Sequence, residues 1–98
     1  MTELPKLMGQ AVETLDIYAE AFDTPRDAQW LLMKLTEELG EMTGAWMQLH
    51  GQSRGTATAQ ELADEAADVL GFLLAFAARE GIDLEAAFQA KWGKYAKG

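Results

Sequence analysis

The chain has 98 residues, 49% of them hydrophobic and 24% charged, a composition typical of one globular domain, residues 1–98, and not of a disordered segment. Its formal net charge of -8 and its pI near 4.4 argue against a nucleic acid polymer as partner, because a phosphate backbone would repel it. The lack of cysteine excludes disulfides and thiolate zinc sites. No apolar run is long enough to span a bilayer, and no signal-peptide pattern is present. We therefore expect a cytoplasmic protein with no membrane partner.

The first predicted helix begins near Pro5 and ends around Phe22. The chain has two prolines and no alternating apolar run, so an all-α, four-helix bundle-like subunit is predicted. Thr24 is predicted to cap the second helix, with Pro25 in its first turn, where the missing N–H costs nothing. The apolar stripe predicted for the first helix consists of Leu4, Met8, Ala11, Leu15, Tyr18 and Phe22.

The second predicted helix covers residues 25–50 and ends at His50, for which we expect a C-cap role. Gly40 and Gly44 each destabilise a helix interior by roughly 1 kcal/mol relative to alanine. They indicate the close approach of another helix or a ligand, or a local kink. The core stripe predicted for this helix consists of Leu32, Leu35, Leu39, Met42, Trp46 and Leu49, with the acids at its margin.

The third predicted helix follows a polar loop at residues 51–59, opens near Thr58 and ends before Gly81. Its second half is apolar almost all round, which is typical of a central helix or of one that a second subunit also covers. We therefore expect an oligomer and not a monomer. Asp83 is predicted to cap a last helix, which carries Leu84, Phe88, Trp92 and Tyr95 and then Lys91, Lys94 and Lys97.

Two acidic doublets interrupt the second and third helices. Glu38 with Glu41, and Glu65 with Asp68, are three residues apart, so each doublet presents both carboxylates on one side of a helical turn. Like charges at that distance repel, and two doublets beside a core are explained best by a divalent cation between them. The alternative is a solvated helix face, for which acids on a flank are the usual residues.

The sequence around these doublets resembles a known family. Positions 34–41 read KLTEELGE and positions 65–70 read EAADVL, which closely resembles the E-E-x-x-E and E-x-x-D signature of the MazG-like nucleotide pyrophosphohydrolases of the all-alpha NTP pyrophosphatase superfamily. The segment GIDLEAAFQAK at positions 81–91 is similar to the one that follows in that family. The C-terminal part departs from the pattern, because Trp92, Gly93, Lys94 and Tyr95 stand where members often have an asparagine and an arginine.

The resemblance implies a magnesium-dependent enzyme, with manganese as a substitute, that cleaves a nucleoside triphosphate between its α and β phosphates. The products are a nucleoside monophosphate and pyrophosphate, and the implied role is nucleotide-pool housecleaning by a homodimer or homotetramer. Carried over by position, the implied metal ligands are Glu38, Glu41, Glu65 and Asp68, and Glu37 and Glu38 are the implied catalytic acids.

Basic residues are candidates for holding the phosphates. Lys34 falls where family members keep a lysine, and Arg54, Lys91 and Lys94 could also offset the charge of a leaving pyrophosphate. For Lys91 and Lys94 the alternative is ordinary charge at a helix C-terminus, which the macrodipole favours. For Arg54 the alternative is plain solvent exposure.

Three other functions fit parts of the pattern. The related phosphoribosyl-ATP pyrophosphatase of histidine biosynthesis shares the helices and the metal chemistry. A di-iron carboxylate bundle needs Glu-x-x-His pairs, and the single histidine, His50, does not follow either doublet at that spacing. A non-catalytic helical dimerisation module would use its acids only for solubility.

Overall fold

The computed structural model describes residues 3–96, and within that range it contains four α-helices and no strand. The predicted all-α fold is confirmed. None of the helices in this range is long and apolar enough to cross a lipid bilayer. The helices are α1 (Glu3–Phe22), α2 (Ala28–Leu49), α3 (Ala59–Arg79) and α4 (Leu84–Lys91), and a short 3-10 helix, η1 (Gly93–Tyr95), follows α4.

The central element is α3, which packs against α2 along one side and against α1 along another. This confirms the central position expected for the third helix, because an apolar surface around most of a helix needs two neighbours. α4 makes its main contacts with α1 and η1. The buried apolar residues are small or aliphatic: Ala19, Leu31, Ala45, Leu74, Ala75 and Ala77.

The ends of α3 are as predicted. Thr58 is the N-cap of a complete capping box: its Oγ1 accepts from Glu61 N at 3.0 Å, and its own N–H donates to Glu61 Oε1 at 2.9 Å. At the other end Gly81 has φ +69°, and Ile82 N–H donates to Ala77 O at 2.8 Å. This is the glycine-terminated Schellman arrangement, which needs a left-handed residue.

The caps predicted at His50 and Asp83 are also confirmed. His50 is the C-cap of α2. The side chain of Asp83 accepts from Ala86 N at 3.0 Å at the start of α4. Capping residues act locally at helix ends, so these two positions could be predicted from the sequence alone.

The start predicted for α2 is wrong by three residues. The helix begins at Ala28 with Asp27 as N-cap, and not at Pro25 with Thr24 as N-cap. Asp23 closes α1 with a left-handed φ of 54°, and Arg26 reaches back to Asp16 on α1, with Nη1 and Oδ1 2.6 Å apart. This ion pair holds the connection against α1, and Pro25 disfavours helical geometry at the residue before it.

The core stripe predicted for α2 is wrong for the single chain. Leu32, Leu39, Trp46 and Leu49 are exposed, with Leu39 at 48%, whereas Leu31, Glu38 and Ala45 are buried. The helix is therefore turned so that its acidic flank, and not its most apolar stripe, faces α3. The exposed residues form what we call the α2 apolar face: Leu32, Leu39, Trp46 and Leu49.

Two further expectations need correction, and a third is narrowed. A Cβ built on Gly40 or Gly44 meets nothing within 4 Å, so no helix in the described chain approaches either glycine closely, and a ligand or a local kink stays as the prediction for these glycines. On α1 the last two residues of the predicted stripe, Tyr18 and Phe22, are exposed. The last helix ends at Lys91, before Trp92, which is 65% exposed.

Candidate metal centre

Glu38 is the centre of two overlapping groups of carboxylates. Its carboxylate lies with those of Glu65 and Asp68 in a group whose ligand oxygens are all within 4.8 Å of one another. A second such group joins Glu38 to Glu37 and Glu41. We call these five residues the acid cluster. The structure thus brings together all five acids that the sequence singled out as metal ligands or catalytic residues.

Helix pairing explains why the two doublets meet. Within each doublet, the spacing of three residues places both carboxylates on one side of a turn. Glu38 interacts with Asp68, and Glu41 interacts with Glu65. The pairing therefore runs in opposite directions along α2 and α3, as it must where the two helices are antiparallel. Two turns, each with its own doublet, face each other across the helix interface.

The environment of Glu38 favours its protonated form. This residue is only 8% exposed, and it is the one buried polar or charged side chain among the described residues. Burial is the largest cause, followed by hydrogen bonds with Glu41 and Asp68, and together they raise the pKa of the Glu38 carboxyl to about 7. Desolvation and the neighbouring acids, Glu41 first, also raise the pKa of Glu65.

Lys34 is the basic residue that the structure places beside the acid cluster. Its Nζ lies 2.5 Å from Glu37 Oε1 and 5.8 Å from the centre of the Phe72 ring. The hydrogen bond to Glu37 is the main reason why the pKa of Lys34 is raised, and Glu38 adds to the effect. Lys34 therefore remains a cation that could contact a phosphate beside the acids.

The other predicted phosphate contacts are not brought to the acid cluster. Arg54 lies in the exposed loop, where its carbonyl accepts from Gln48 Nε2 at 3.1 Å. Lys91 ends α4, which packs on α1 and η1, and Lys94 lies in η1 with its Nζ 5.1 Å from the Tyr95 ring centre. Lys97 falls outside the described residues. In the single chain, the role proposed for these cations has no geometric support.

An acidic cleft continues from the acid cluster toward the start of α3. It has a volume of about 420 Å³, and Glu41 and Glu65 form one end of its lining. Asp64 also lines the cleft and was not among the predicted site residues, although it lies four residues before Asp68, a spacing that places both on one helix face. The remaining lining residues are Gly44, Ala45, Gln48, Ala57, Glu61 and Asp64.

The donor set fits a hard divalent cation. Mg²⁺ and Ca²⁺ take oxygen ligands, and Mg²⁺ is typically held by one or two carboxylates together with waters and substrate phosphates. Carboxylates that are packed together and have raised pKa values are stabilised most by a bound cation, because the cation favours their ionised forms. The residues that could hold it from two helices are Glu38, Glu41, Glu65 and Asp68.

Comparison with known proteins gives one match. The phosphoribosyl-ATP pyrophosphohydrolase family matches residues 1–90, a range that includes every residue of the acid cluster. No curated protein and no solved structure matches the chain. This family lies in the all-alpha NTP pyrophosphatase superfamily. The match therefore supports the superfamily that the acid motifs indicated, but it does not support membership of the MazG-like branch. The chain belongs to the phosphoribosyl-ATP pyrophosphohydrolase family, a family of hydrolases that act on phosphoric anhydrides.

Proposed function

We propose that the protein is a magnesium-dependent pyrophosphohydrolase whose substrate is phosphoribosyl-ATP. The observation that carries the proposal is the convergence of Glu38, Glu65 and Asp68 from two helices within 4.8 Å. The family match supports this substrate over the nucleotide-pool role expected from the MazG-like resemblance. In the reaction, water adds to the α phosphorus and the bond to the oxygen that bridges it to the β phosphorus breaks, giving phosphoribosyl-AMP and pyrophosphate.

The residues of the chain have distinct roles in this proposal. Glu38, Glu41, Glu65 and Asp68 hold the cation, and Glu37, which is exposed beside them, accepts a proton from the attacking water. Lys34, paired with Glu37, offsets negative charge on the phosphates. When bound, Mg²⁺ neutralises the triphosphate and lowers the pKa of a water. Manganese is expected to substitute.

The proposal extends to the assembly. The α2 apolar face is exposed in the single chain, and a radius of gyration of 15.4 Å exceeds the ~13 Å of a compact domain of about 100 residues. An exposed apolar surface of this kind is typical of an interface. We therefore propose a homodimer or homotetramer, in which Arg54, Lys91 and Lys94 are candidates for phosphate contacts from a neighbouring subunit.

Hydrolysis of standard or modified nucleoside triphosphates is the second candidate. It is favoured by the acid motifs at positions 34–41 and 65–70, which resemble the MazG-like signature. The two candidates share the cleavage position and the metal ligands. They differ only in the substrate that gives the higher kcat/KM.

A substrate panel with detection of both products tests these proposals. With Mg²⁺, we expect pyrophosphate and no orthophosphate from phosphoribosyl-ATP, with a higher kcat/KM than for any nucleoside triphosphate. Glu41→Gln and Asp68→Asn should lower kcat/KM by at least about a hundredfold, since each removes a charged ligand oxygen. Glu20→Gln is the matched control, because Glu20 is an exposed glutamate on α1 outside the acid cluster.

Three outcomes separate the candidates. A higher kcat/KM for a nucleoside triphosphate would favour the housecleaning role. Release of orthophosphate alone, or no release from any nucleotide, would refute pyrophosphohydrolysis. Calorimetric titration with Mg²⁺ or Mn²⁺ then decides whether the acid cluster binds a cation at all, as a non-catalytic dimerisation module would show no binding.

A further inference from the structure

The layer of side chains next to the acid cluster contains a cation and an aromatic ring. Glu38 of α2 interacts with Asp68 of α3. Because the two helices run in opposite directions, the turn before Glu38 lies opposite the turn after Asp68. Those turns hold Lys34 and Phe72, and Lys34 Nζ lies 5.8 Å from the centre of the Phe72 ring. This distance is within the limit of about 6 Å for a cation–π contact.

The Phe72 ring is itself packed against a second ring. Trp30, one turn before Lys34 on α2, has its ring centre 6.0 Å from that of Phe72, with the ring planes at 74° to each other. This edge-to-face arrangement is a preferred geometry of aromatic pairs. All three side chains are half-buried, so their neighbours restrict their rotamers. Trp30 is thus placed to hold the Phe72 ring, and the ring is placed to hold the ammonium group.

A lysine beside five carboxylates needs a contact of this kind to stay at one of them. Glu38 and Glu41 both attract the Lys34 ammonium. Within residues 3–96, however, the carboxylate with which its Nζ forms an ion pair is that of Glu37, at 2.5 Å. An ammonium group that moved onto Glu38 or Glu41 would occupy oxygens that a divalent cation needs. A cation–π contact with Phe72 opposes that movement.

We propose that Phe72, supported by Trp30, is a positioning residue that holds the Lys34 ammonium at Glu37 and away from the metal-binding oxygens. The proposal rests on the proposed function for the role of Lys34 at the phosphates. Neither ring contacts the metal or the phosphates in this proposal. Both act through Lys34 alone.

Lysine resonances test the contact without turnover. Protons above the face of an aromatic ring are shifted upfield by its ring current. In NMR spectra of the metal-free native protein, we expect the ε-methylene protons of Lys34 upfield of those of Lys6, an exposed lysine on α1. Phe72→Leu should move them to the Lys6 value, and Phe76→Leu should not. Phe76 is the matched control, since it is also a half-buried phenylalanine of α3, one turn further along.

Metal binding tests the separation of the ammonium from the ligand oxygens. In calorimetric titration we expect Mn²⁺ to bind Phe72→Leu several-fold more weakly than it binds Phe76→Leu, because the released ammonium competes for the same carboxylates. In a Lys34→Met background, Phe72→Leu should not weaken Mn²⁺ binding, because no ammonium is left to compete.

Kinetics test whether the ring acts through the lysine. Phe72→Leu should lower kcat/KM roughly five- to tenfold, the size expected for a partly desolvated cation–π contact. Phe72→Tyr, which keeps the ring face, and Phe76→Leu should stay near the native value. In the Lys34→Met background, Phe72→Leu should cause no further loss, and this non-additivity would not arise from a merely structural role.

A second variant guards against misfolding of Phe72→Leu. Trp30→Leu leaves the Phe72 ring in the chain and removes only its edge-to-face partner. We expect it to reduce the upfield shift of the Lys34 protons and to lower kcat/KM, each by less than Phe72→Leu does.

The outcomes separate this proposal from the proposed function. The proposal is overturned if the Lys34 protons keep their native shift in Phe72→Leu, or if Phe72→Leu and Phe76→Leu bind Mn²⁺ equally. An equal loss of kcat/KM from Phe72→Leu with and without Lys34 would also overturn it. Absence of pyrophosphate release by the native protein, with the upfield shift present and lost in Phe72→Leu, would count against the proposed function alone.

Discussion

Glu38 shows how one residue links stability to the expected ligand. Burial among other acids raises the pKa of the Glu38 carboxyl to about 7, so without a cation its protonated form is favoured below that pH. Ionising it leaves a charge in a poorly solvated place beside Glu41 and Asp68. A divalent cation removes this penalty. Ionisation of Glu38 at high pH therefore destabilises the metal-free protein, and a bound metal ion should stabilise that ionised form.

We expect the metal-free protein to lose stability as the pH rises. The folded-state pKa of Glu38 is raised above its unfolded value, so the stabilisation is fully present below about pH 4.5 and is lost as the pH rises through about 7. Between about pH 5.5 and pH 8 the free energy of unfolding should fall by about 2 kcal/mol. Urea unfolding at a series of pH values, in the presence of a chelator, measures this fall in the free energy of unfolding.

Glu38→Gln is the control for this titration. The amide keeps the shape of the side chain without its ionisation, so the dependence of the unfolding free energy on pH should flatten over this range. Excess Mg²⁺ at pH 8 should restore stability to the native protein and not to this variant. Equal pH dependence in both proteins would show that Glu38 does not control it.

At the scale of elements, the helix ends are determined locally and the helix faces are not. Thr58 and Asp83 cap their helices with their own side chains, and Gly81 ends α3 with a left-handed backbone. Each requires only residues within a few positions. α2 starts three residues later than predicted, and the segment before it contains Arg26, which pairs with Asp16 of α1, ten residues earlier. Local signals at Thr24 and Pro25 could not reveal it.

We expect Thr58→Ala to destabilise the fold by about 1 kcal/mol, because the substitution removes the Oγ1 that accepts from Glu61 N in the capping box at the start of α3. For a domain of this size, the loss corresponds to a fall in Tm of about 4–8 °C. Thermal unfolding at one fixed protein concentration measures the change. Thr56→Ala is the control, since Thr56 lies in the exposed loop outside the capping box. A Tm equal to the native value would contradict a stabilising role for the cap.

At the scale of the whole molecule, the chain is flat and leaves apolar surface uncovered. Its extents are 44 × 39 × 20 Å, and the α2 apolar face presents leucines and a tryptophan at intervals of seven and three residues. The same spacing is used between helices of bundles. The apolar stripe that the sequence assigns to the core of one chain is thus available for the proposed contact between chains.

We expect Leu39→Lys to reduce the sedimenting mass of the protein. A lysine in the middle of the α2 apolar face would bury an unpaired charge in a subunit contact, so the assembly should dissociate at concentrations where the native protein is oligomeric. Ile17→Lys is the control, since Ile17 is 61% exposed on α1 outside this face. A native protein that sediments as a monomer would contradict the proposed assembly.

The sequence by itself determined the helical class, the start of α3 near Thr58 and its end at Gly81, the caps at His50 and Asp83, and the two acid doublets. Each depends on residues within a turn or two of one another. Only the tertiary structure decided which flank of α2 faces α3, that Glu38 is buried, and that the two acid doublets meet. These three features depend on how one helix is rotated and directed against another. Helical periodicity does not determine that rotation, because an apolar stripe can be covered either by the same chain or by a second one.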